Sequence, residues 1–408
     1  MLIIGVSKID DLTLSNVFPN KVQLPKSINC LGVYFFFLGH NLVPAPPQRI
    51  TGFIFIIINL IYKIQLIVNK KTALITGISG QDGAYLAEFL LKKNYKVIGI
   101  ERRSARNLNW RLEKLSISDK IIIEDSDIKE VNNLIRIFQK YKVHEVYNLA
   151  AQSFVKSSFD NPIETTLVNA IGTLNLLEVI RNKNTNIKFY QASTSEMFGE
   201  HGKKKQNELT NFHPRSAYAT SKTFSHYTVQ NYREAFKMFA VNGILFNHES
   251  PLRGEEFITR KISLGLAKII SGKQKILKLG NIYAKRDWGY AKDYVEAMWK
   301  MLQVKKPEDF VIATGKTYSV KEFINKSVKI LNLNTKWVGK GLNEKLIDLN
   351  KKKPIIIIDK NYFRPAEVNI LRGDYSKAKK ILKWSPKTDL DDLAKIMLKS
   401  DLLYVNKN

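Results

Sequence analysis

From residue 71 onward, short apolar runs alternate with longer segments of helical periodicity. The apolar runs, which predict buried β-strands, are Lys71–Thr76, Lys96–Ile100, Ile121–Ile123, Val143–Ala151 and Asn186–Gln191. Segments with helical spacing of apolar residues lie between them, including Ala84–Leu91 and Val168–Arg181. Strands that alternate with helices form a parallel sheet with helices on both faces. The pattern therefore predicts a Rossmann-type doubly wound parallel sheet.

The first 68 residues do not show this alternation. Pro44, Pro46 and Pro47 interrupt them, and they end in an apolar run, Ile50–Val68. That run approaches the roughly 20 apolar residues of a membrane helix, but Lys63 interrupts it. After Met1 the next methionine is Met197, so a domain beginning near residue 69 would need another initiation codon. We interpret residues 1–68 as translated upstream sequence or a poorly ordered extension without function, and we expect no membrane anchor; a weak membrane segment stays open as an alternative.

Composition limits the remaining possibilities. A chain of 408 residues with 44% hydrophobic residues can bury the core of one large α/β domain or of two packed ones. Lysine supplies most of the net charge of +28, which favours a solvated surface over a nucleic-acid interface. The single cysteine, Cys30, excludes an internal disulfide and a cysteine-based zinc site. We expect a cytoplasmic protein without a bound metal.

A glycine-rich loop follows the first predicted strand and opens the first predicted helix. Gly77, Gly80 and Gly83 are spaced G-x-x-G-x-x-G, with Gln81 and Asp82 inside the loop. Gly77 allows a tight turn, Gly80 lets the backbone approach a pyrophosphate, and Gly83 lets the helix pack closely. The helix N-terminus then offers free N–H groups to the phosphates. The loop predicts a nicotinamide dinucleotide site.

The residues after the second and third strands bear on the choice of cofactor. Glu101 favours NAD by bonding a ribose 2′-hydroxyl, whereas Arg102 and Arg103 favour NADP by pairing with a 2′-phosphate. Two arginines outweigh one glutamate, so the sequence favours NADP. Asp127 is interpreted either as an adenine-side contact or as a cap at a strand end. The small residues at the end of the fourth strand let a cofactor lie close; with their neighbours, the residues expected there are Leu149, Ala150, Gln152 and Ser153.

A candidate catalytic group follows the fifth strand. Tyr218 and Lys222 are spaced i, i+4 and so share one face of a helix. A lysine ammonium beside a phenol lowers the phenol's pKa, which makes tyrosine a usable general base. Thr194, at the end of the strand, can bond the same substrate oxygen. Glu196 is either a further acid/base group or a surface carboxylate.

Several longer motifs carry a family resemblance. They are Gly80–Glu88, Phe189–Gly199, Asn242–Ile262, Arg286–Val295 and Arg364–Val368. Together they resemble the GDP-mannose 4,6-dehydratase family of the extended short-chain dehydrogenase/reductase superfamily. The resemblance extends from about residue 71 to the C-terminus. It implies an NADP-binding Rossmann domain over residues 69–250 and a smaller C-terminal substrate-binding domain over residues 251–408. This second domain is expected to bind mainly the sugar nucleotide, with some of its segments returning to the Rossmann domain.

The resemblance implies a reaction and a role for each catalytic candidate. Tyr218, assisted by Lys222 and Thr194, would take the proton from the hydroxyl on carbon 4 of GDP-mannose, with NADP as the hydride acceptor. Glu196 would remove the carbon-5 proton and assist loss of the carbon-6 hydroxyl. The product would be GDP-4-keto-6-deoxymannose.

The resemblance also implies binding residues. His248, Arg253 and Lys222 would contact the cofactor, and His248 has no second metal ligand at a suitable spacing. The expected substrate contacts are Ser195, Asn247, Arg253, Arg260, Arg286, Arg364 and Glu367. Instead of binding substrate, the arginines could be solvated or form salt bridges within the protein. Glu367 could likewise have a purely structural role.

Three features depart from the family pattern. The segment between Arg106 and Ile121 is shorter, Ser126 replaces a glycine, and Glu164 stands where relatives carry tyrosine. The family implies a homo-oligomer, a dimer or tetramer, and the short segment puts the tetramer in question. An epimerase or reductase of the same fold is the nearest rival, and Glu196 argues against it. A second rival, from another functional class, is a non-catalytic regulator that only binds the cofactor. Such a regulator would lack part of the Tyr/Lys pair, whereas Tyr218 and Lys222 are both present here.

Overall fold

The computed structural model describes residues 70–202, 204–363 and 368–407, and the chain from Lys70 onward forms one compact unit. The interpretations of residues 1–68, including the apolar run Ile50–Val68, fall outside the described residues. Arg364 and Glu367 fall outside them as well.

Fifteen strands are present among the described residues. In chain order they are β1 Thr72–Thr76, β2 Lys96–Glu101, β3 Ile122–Asp125, β4 Glu145–Asn148, β5 Lys188–Thr194, β6 Ala240–Leu245, β7 Asn247–Glu249, β8 Leu277–Leu279, β9 Lys285–Arg286, β10 Trp288–Tyr290, β11 Phe310–Ile312, β12 Tyr318–Ser319, β13 Thr335–Val338, β14 Lys345–Asp348 and β15 Lys353–Ile358.

The α-helices are numbered in the same way. They are α1 Gln81–Lys92, α2 Trp110–Lys114, α3 Val131–Lys140, α4 Ser157–Asp160, α5 Pro162–Thr166, α6 Gly172–Lys183, α7 Ala217–Ala235, α8 Ile258–Ile270, α9 Ala291–Met301, α10 Val320–Ile330, α11 Ser376–Ile381 and α12 Leu390–Lys407.

The main sheet has seven strands in the order β11-β6-β5-β4-β1-β2-β3, and every neighbouring pair is parallel. The chain runs outward from β1 to β3 and then restarts on the other side of β1 with β4. This reversal of strand order leaves a crevice at the carboxyl ends of β1 and β4, where ligands bind in open α/β sheets. The predicted doubly wound parallel sheet is confirmed.

Apolar residues cover both faces of this sheet. On one face α1 and α9 pack with Trp384 against β1 and β2, and on the other face α3, α6 and α7 pack against β4 and β5. A further apolar cluster joins α8, α10 and α12 to a second sheet of order β13-β14-β15-β8. Strand β11 comes late in the chain but pairs with β6 of the main sheet. The predicted domain boundary at residue 250 stays a prediction.

The helix predicted over Val168–Arg181 begins earlier and is not uniform. It starts with Pro162 at the first turn of α5, continues through a π-helical segment at Leu167–Ile171, and ends with α6. The continuous helix over residues 162–183 is long and apolar enough to cross a membrane, but 56% of its most apolar window is buried inside the fold. Packing against α3 and α7 therefore accounts for its apolar residues.

Candidate active site

A cavity of about 740 Å³ opens at the crevice between β1 and β4. Its walls come from the carboxyl ends of the main strands, from the loop before α1, and from the β7–α8 segment. Most of the predicted site residues line it: Gly77, Gly80, Gln81, Asp82, Gly83, Arg102, Asp127, Leu149, Ala150, Gln152, Ser153, Thr194, Ser195, Glu196, Tyr218, Lys222, Asn247, His248, Arg253 and Arg286.

The glycine loop has the close contacts that its spacing predicts. Gly77 has φ +68°, and a Cβ there would lie 2.9 Å from the backbone nitrogen of Ala150. A Cβ at Gly83 would lie 2.3 Å from the carbonyl oxygen of Gly77. Helix α1 follows Gly80 directly, so its unpaired N–H groups border the cavity. No residue larger than glycine fits at Gly77 or Gly83. The loop thus forms a cradle of the kind that holds a dinucleotide pyrophosphate.

His248 and Asp82 form an ion pair at one wall of the cavity. Asp82 Oδ2 lies 2.7 Å from His248 Nε2, and the carbonyl oxygen of Phe246 lies 2.8 Å from Nδ1. Because both partners are acceptors, both ring nitrogens carry protons and the imidazole is cationic. Burial would lower the pKa of His248, but the charge of Asp82 and its hydrogen bond outweigh burial and raise it. With both nitrogens protonated, the ring has no lone pair to offer a metal.

Gln81 joins this pair to the β7 segment. Its Nε2 donates to the carbonyl oxygen of His248, at 3.1 Å, and to Asp82. Its Oε1 accepts a 2.6 Å hydrogen bond from Ser250. Gln81 therefore borders the cavity, but its polar atoms form hydrogen bonds within the protein that hold the loop to β7.

The predicted catalytic residues come from two neighbouring elements. Strand β5 ends at Thr194, and a short 3₁₀ turn, Ser195–Met197, carries Glu196 into the cavity. Ser216 caps the N-terminus of α7 by accepting a hydrogen bond from Ala219, which places Tyr218 in the first turn. Buried Met197 and Phe198 anchor the Glu196 turn in the core.

Burial shifts the pKa values of both Tyr218 and Lys222. Burial raises the pKa of Tyr218 to about 12; a side-chain hydrogen bond with Thr194 opposes the rise, and the negative charge of Glu196 adds to it. Burial also lowers the pKa of Lys222 to about 8, and its Nζ donates to the carbonyl oxygen of Ala192 at 3.0 Å. In the protein alone the pKa of Tyr218 is thus raised, and its lowering by Lys222 stays a prediction for the enzyme with its ligands bound.

The wall below the end of β4 depends on polar residues that the sequence did not single out. Thr76 Oγ1 accepts hydrogen bonds from the backbone nitrogens of Leu149 and Ala150, at 3.1 and 3.0 Å, and donates to Asn148. Asn169 Oδ1 accepts from the backbone nitrogen of Gln152 at 2.9 Å. The Gln152 Oε1 atom is buried without a hydrogen-bond partner in the protein, which fits a contact to a bound ligand.

At the far end of the cavity, acidic and basic groups alternate. Glu101 is 9% exposed, and its Oε1 has no hydrogen-bond partner in the protein. Arg102 keeps 64% of its side chain exposed and lies 3.8 Å from Glu164, which also pairs with Lys129 at 2.9 Å. Asp127 Oδ1 caps the backbone nitrogen of Lys129 at 2.9 Å while the residue lines the cavity, so both of its interpretations fit.

Two predicted substrate contacts lie on the opposite side. Arg253 lies 3.6 Å over the ring of Phe257 and 3.2 Å from Glu249. Asn247 lines the cavity, and its Oδ1 is buried without a hydrogen-bond partner in the protein. Buried Ser195 and Arg286 also reach the cavity.

Arg260 does not reach the cavity, so its predicted substrate role is corrected. Its guanidinium is buried, pairs with Asp401 at 2.8 Å and donates to the carbonyl oxygen of Pro251. The next residue, Lys261, lines the cavity instead, with Nζ 3.4 Å over the ring of Tyr362. Consecutive helical residues point about 100° apart, and here Arg260 points toward Asp401 while Lys261 faces the cavity.

Arg111 is a further residue that the sequence analysis missed. Its Nε donates to the carbonyl oxygen of Leu252 at 2.7 Å, and its Nη1 to that of Ser79 at 3.0 Å. It thereby ties the glycine loop to the segment that carries Arg253. Its only sequence signal was its position in the shortened segment after Arg106.

Comparison with known proteins places the chain in a family. The family model described as GDP-mannose 4,6 dehydratase matches residues 74–397. GDP-mannose 4,6 dehydratase of Drosophila melanogaster is 48% identical over 346 residues, which cover 83% of this chain and 88% of that protein. GDP-mannose 4,6-dehydratase of Vibrio cholerae is 49% identical over 358 residues, covering 83% and 96%.

The fold is shared with more distant enzymes. The structure of dTDP-glucose 4,6-dehydratase from Bacillus anthracis in complex with NAD matches with a TM-score of 0.68 and 20% identity, covering 82% of this chain and 97% of that one. This likeness extends the shared architecture over nearly the whole of that enzyme. With a family model over residues 74–397 and relatives near 48% identity, the chain belongs to the GDP-mannose 4,6-dehydratase family.

Proposed function

We propose that this protein is a hydro-lyase that converts GDP-mannose to GDP-4-keto-6-deoxymannose and water. The observation that carries the proposal is Glu196, which lines the same cavity as Thr194, Tyr218 and Lys222 in a chain of this family. Oxidation at carbon 4 needs one base, and elimination across carbons 5 and 6 needs a second acid/base group. The cavity offers both.

Tyr218 and Thr194 act at carbon 4 in the proposed mechanism. Tyr218 takes the proton of the carbon-4 hydroxyl, and Thr194 holds the same oxygen. When bound in the cavity, a nicotinamide cofactor would supply the hydride chemistry, with the hydride taken from carbon 4 and returned to carbon 6. Burial raises the pKa of Tyr218 to about 12 in the protein alone, so a positive charge beside the phenol, such as that of an oxidised nicotinamide, would favour its phenolate form.

Glu196 acts at carbons 5 and 6. The 4-ketone acidifies the carbon-5 hydrogen, and Glu196 takes it as a proton. The same carboxyl group then protonates the leaving carbon-6 hydroxyl, which departs as water. As the hydride returns to carbon 6, carbon 5 takes up a proton, which is supplied by the proton that Tyr218 took from the carbon-4 hydroxyl. The two hydrogens removed at carbon 4 thus reappear at carbons 5 and 6, and the substrate loses one water in total.

The residues of the cavity fit a dinucleotide. The Gly77–Gly83 cradle would hold its phosphates, and the buried Gln152 Oε1, which has no partner in the protein, would accept a hydrogen bond from it. We propose NADP as the cofactor because Arg102 lies at the end of β2 beside the cavity, with Arg103 next to it. Glu101 is the residue that opposes this choice, since its carboxylate would repel a 2′-phosphate.

Replacing Arg102 with alanine is expected to weaken NADP⁺ binding about tenfold, the low end for a hydrogen bond to a charged group, and to change NAD⁺ binding little. Isothermal titration of the purified protein with each dinucleotide measures this directly. Arg106→Ala is the control, because Arg106 is exposed and outside the cavity. If the unmodified protein prefers NAD⁺ and Glu101→Gln removes that preference, the cofactor is NAD.

The proposed reaction is tested by incubating the protein with GDP-mannose and NADP⁺ and analysing the product by mass spectrometry. A sugar nucleotide lighter by one water, with NADP⁺ unchanged in amount, supports the dehydratase. An unchanged mass with altered stereochemistry would identify an epimerase. Stoichiometric consumption of the cofactor would identify a simple oxidoreductase.

Deleting residues 1–69 is expected to leave turnover and solubility unchanged. The main sheet begins at Thr72, and the family match begins at residue 74. The measurement compares the rate of product formation and sedimentation of the two proteins in the absence of detergent. An insoluble or inactive shortened chain would show that the extension is needed, and detergent-dependent sedimentation of the full chain would support a membrane anchor.

We also propose that the protein is a cytoplasmic homo-oligomer that binds no nucleic acid. The dominance of lysine over arginine and the small-molecule cavity support the last point. The oligomeric state and the compartment stay predictions.

A further inference from the structure

A buried polar network lies behind the catalytic wall of the cavity. It consists of Ser193, His226, Gln230, Arg233, Asn242 and Asp309, which come from β5, α7, β6 and the loop before β11. Gln230 and Arg233 are partly buried, and the other four members are buried. The proposed reaction uses none of these side chains.

The donor and acceptor roles in this network follow from the Asp309 carboxylate. Gln230 Nε2 lies 2.6 Å from Asp309 Oδ2 and must donate, because a carboxylate only accepts. The same NH₂ group lies 3.1 Å from His226 Nε2, so Nε2 is the acceptor and the neutral ring carries its proton on Nδ1. His226 Nδ1 therefore donates to Ser193 Oγ, at 3.1 Å.

Asn242 completes the assignment. Its Nδ2 donates to Asp309 Oδ1 at 3.0 Å and to the carbonyl oxygen of His226 at 3.1 Å. This leaves its Oδ1 to accept the hydroxyl proton of Ser193, at 3.3 Å. Every polar atom that links His226 to Ser193 thus has one consistent role. Burial lowers the pKa of His226 to about 4, in agreement with a neutral ring.

The network continues the catalytic stripe of α7. Tyr218, Lys222, His226 and Gln230 follow one another at intervals of four residues and so share a face of the helix. Lys222 holds the carbonyl oxygen of Ala192, and His226 holds the side chain of Ser193. Two consecutive residues of β5 are therefore fixed to α7 immediately before Thr194.

We infer that His226 is a positioning residue: through its Nδ1–H···Ser193 hydrogen bond it fixes the end of β5 against α7, and so sets Thr194 and Glu196 in register with Tyr218. The inference rests on the proposed function for its chemical consequence. The structural part of the inference does not depend on the proposed function, because the position of β5 against α7 is a property of the protein alone. Small misplacements of reacting groups are costly, since 1 Å can reduce a rate about 10²-fold.

Three substitutions separate this role from general stability. The amide nitrogen of asparagine can stand where Nδ1 stands, so His226→Asn keeps the donor to Ser193. The longer side chain of His226→Gln reaches the Nε2 position and keeps only the contact with Gln230. His226→Phe keeps the ring volume and loses both contacts.

We expect His226→Asn to retain kcat within about twofold, and His226→Gln and His226→Phe to lose about tenfold in kcat with KM for GDP-mannose unchanged. Ser193→Ala should reproduce the loss, and adding His226→Gln to it should cause no further loss. The matched control is Tyr232→Phe, which removes the hydrogen bond from α7 to Glu178 away from the cavity. That variant should lower Tm and leave kcat unchanged.

Hydrogen exchange measured by mass spectrometry on residues 193–198 gives a readout that needs no turnover. Exchange in this segment should accelerate in His226→Gln and His226→Phe but not in His226→Asn or Tyr232→Phe. Equal exchange in all four variants, or kcat that simply follows Tm, would overturn the inference. If the unmodified protein does not turn over GDP-mannose, the proposed function fails, while the exchange pattern still decides the role of His226.

Discussion

The Tyr218→Phe variant is expected to lose about 10²–10⁴-fold in turnover, the usual contribution of a general base, while keeping its fold and its affinity for the dinucleotide. The substitution removes one hydroxyl from a buried ring that borders the cavity next to Thr194. Lys222, the other member of the pair, cannot replace this hydroxyl as the base, because its Nζ donates a hydrogen bond to the carbonyl oxygen of Ala192.

Tyr227→Phe serves as the control for this change. Tyr227 lies on the same helix, is 53% exposed and does not line the cavity, so its variant should keep full turnover. Steady-state kinetics with GDP-mannose, together with dinucleotide titration, measure both effects. Near-normal turnover in Tyr218→Phe would remove Tyr218 from the mechanism.

The rate of the first step should also depend on pH in a defined direction. A general base acts in its deprotonated form, and burial holds the pKa of Tyr218 at about 12 in the protein alone. The deprotonated fraction, and with it the rate of carbon-4 oxidation, is therefore expected to rise with pH through the neutral range. A rate that falls over this range would point to a group that must stay protonated.

The sequence predicted the strands and the glycine loop because these depend on local patterns. Short apolar runs and glycine spacing reflect burial and backbone conformation within a few residues, so Gly77 and Gly83 have the close approaches expected of them. The end of β5 was less well predicted: the apolar run stops at Gln191, but the strand continues to Thr194. The added residues, Ala192, Ser193 and Thr194, are small, and they belong to the strand because they pair with β6, which no local pattern reveals.

Long-range partners explain the errors at the site. Arg260 and Lys261 are adjacent cations at the start of α8, and the sequence does not show which one has a buried partner. The structure supplies Asp401, far away on α12, and so turns Arg260 into the core. The same holds for His226: in the sequence it is one histidine on a helix, and its role depends on Asp309 and Asn242, which come from other elements.

The Glu196→Gln variant is expected to lose about 10²–10⁴-fold in formation of the 6-deoxy product, again the contribution of an acid/base group, while still oxidising carbon 4. Glutamine keeps the size of the side chain but cannot accept the carbon-5 proton. The turn that carries residue 196 is held by buried Met197 and Phe198 and by the hydrogen bond from its backbone nitrogen to Thr194, at 3.3 Å. The substitution should therefore leave the backbone in place.

A single-turnover experiment in deuterated water separates the two steps. Reduced cofactor should accumulate on the Glu196→Gln protein, because the hydride leaves carbon 4 but finds no carbon-6 acceptor without elimination. Incorporation of deuterium at carbon 5 and release of the 6-deoxy product should fall together. Glu234→Gln is the control, since Glu234 is an exposed carboxylate on α7 outside the cavity, and it should behave like the unmodified protein.

The possible outcomes assign Glu196 to one role only. Slow elimination with retained carbon-4 oxidation identifies it as the acid/base group of the second step, and this is the expected result. Equal loss of both steps would mean that the carboxylate binds or orients the sugar, because a group acting only at carbons 5 and 6 cannot slow a reaction at carbon 4. Product formation at the normal rate would place the base elsewhere. The cavity-lining Glu249 and Glu256 would then be the carboxylates to test, since both lie on the Arg253 side.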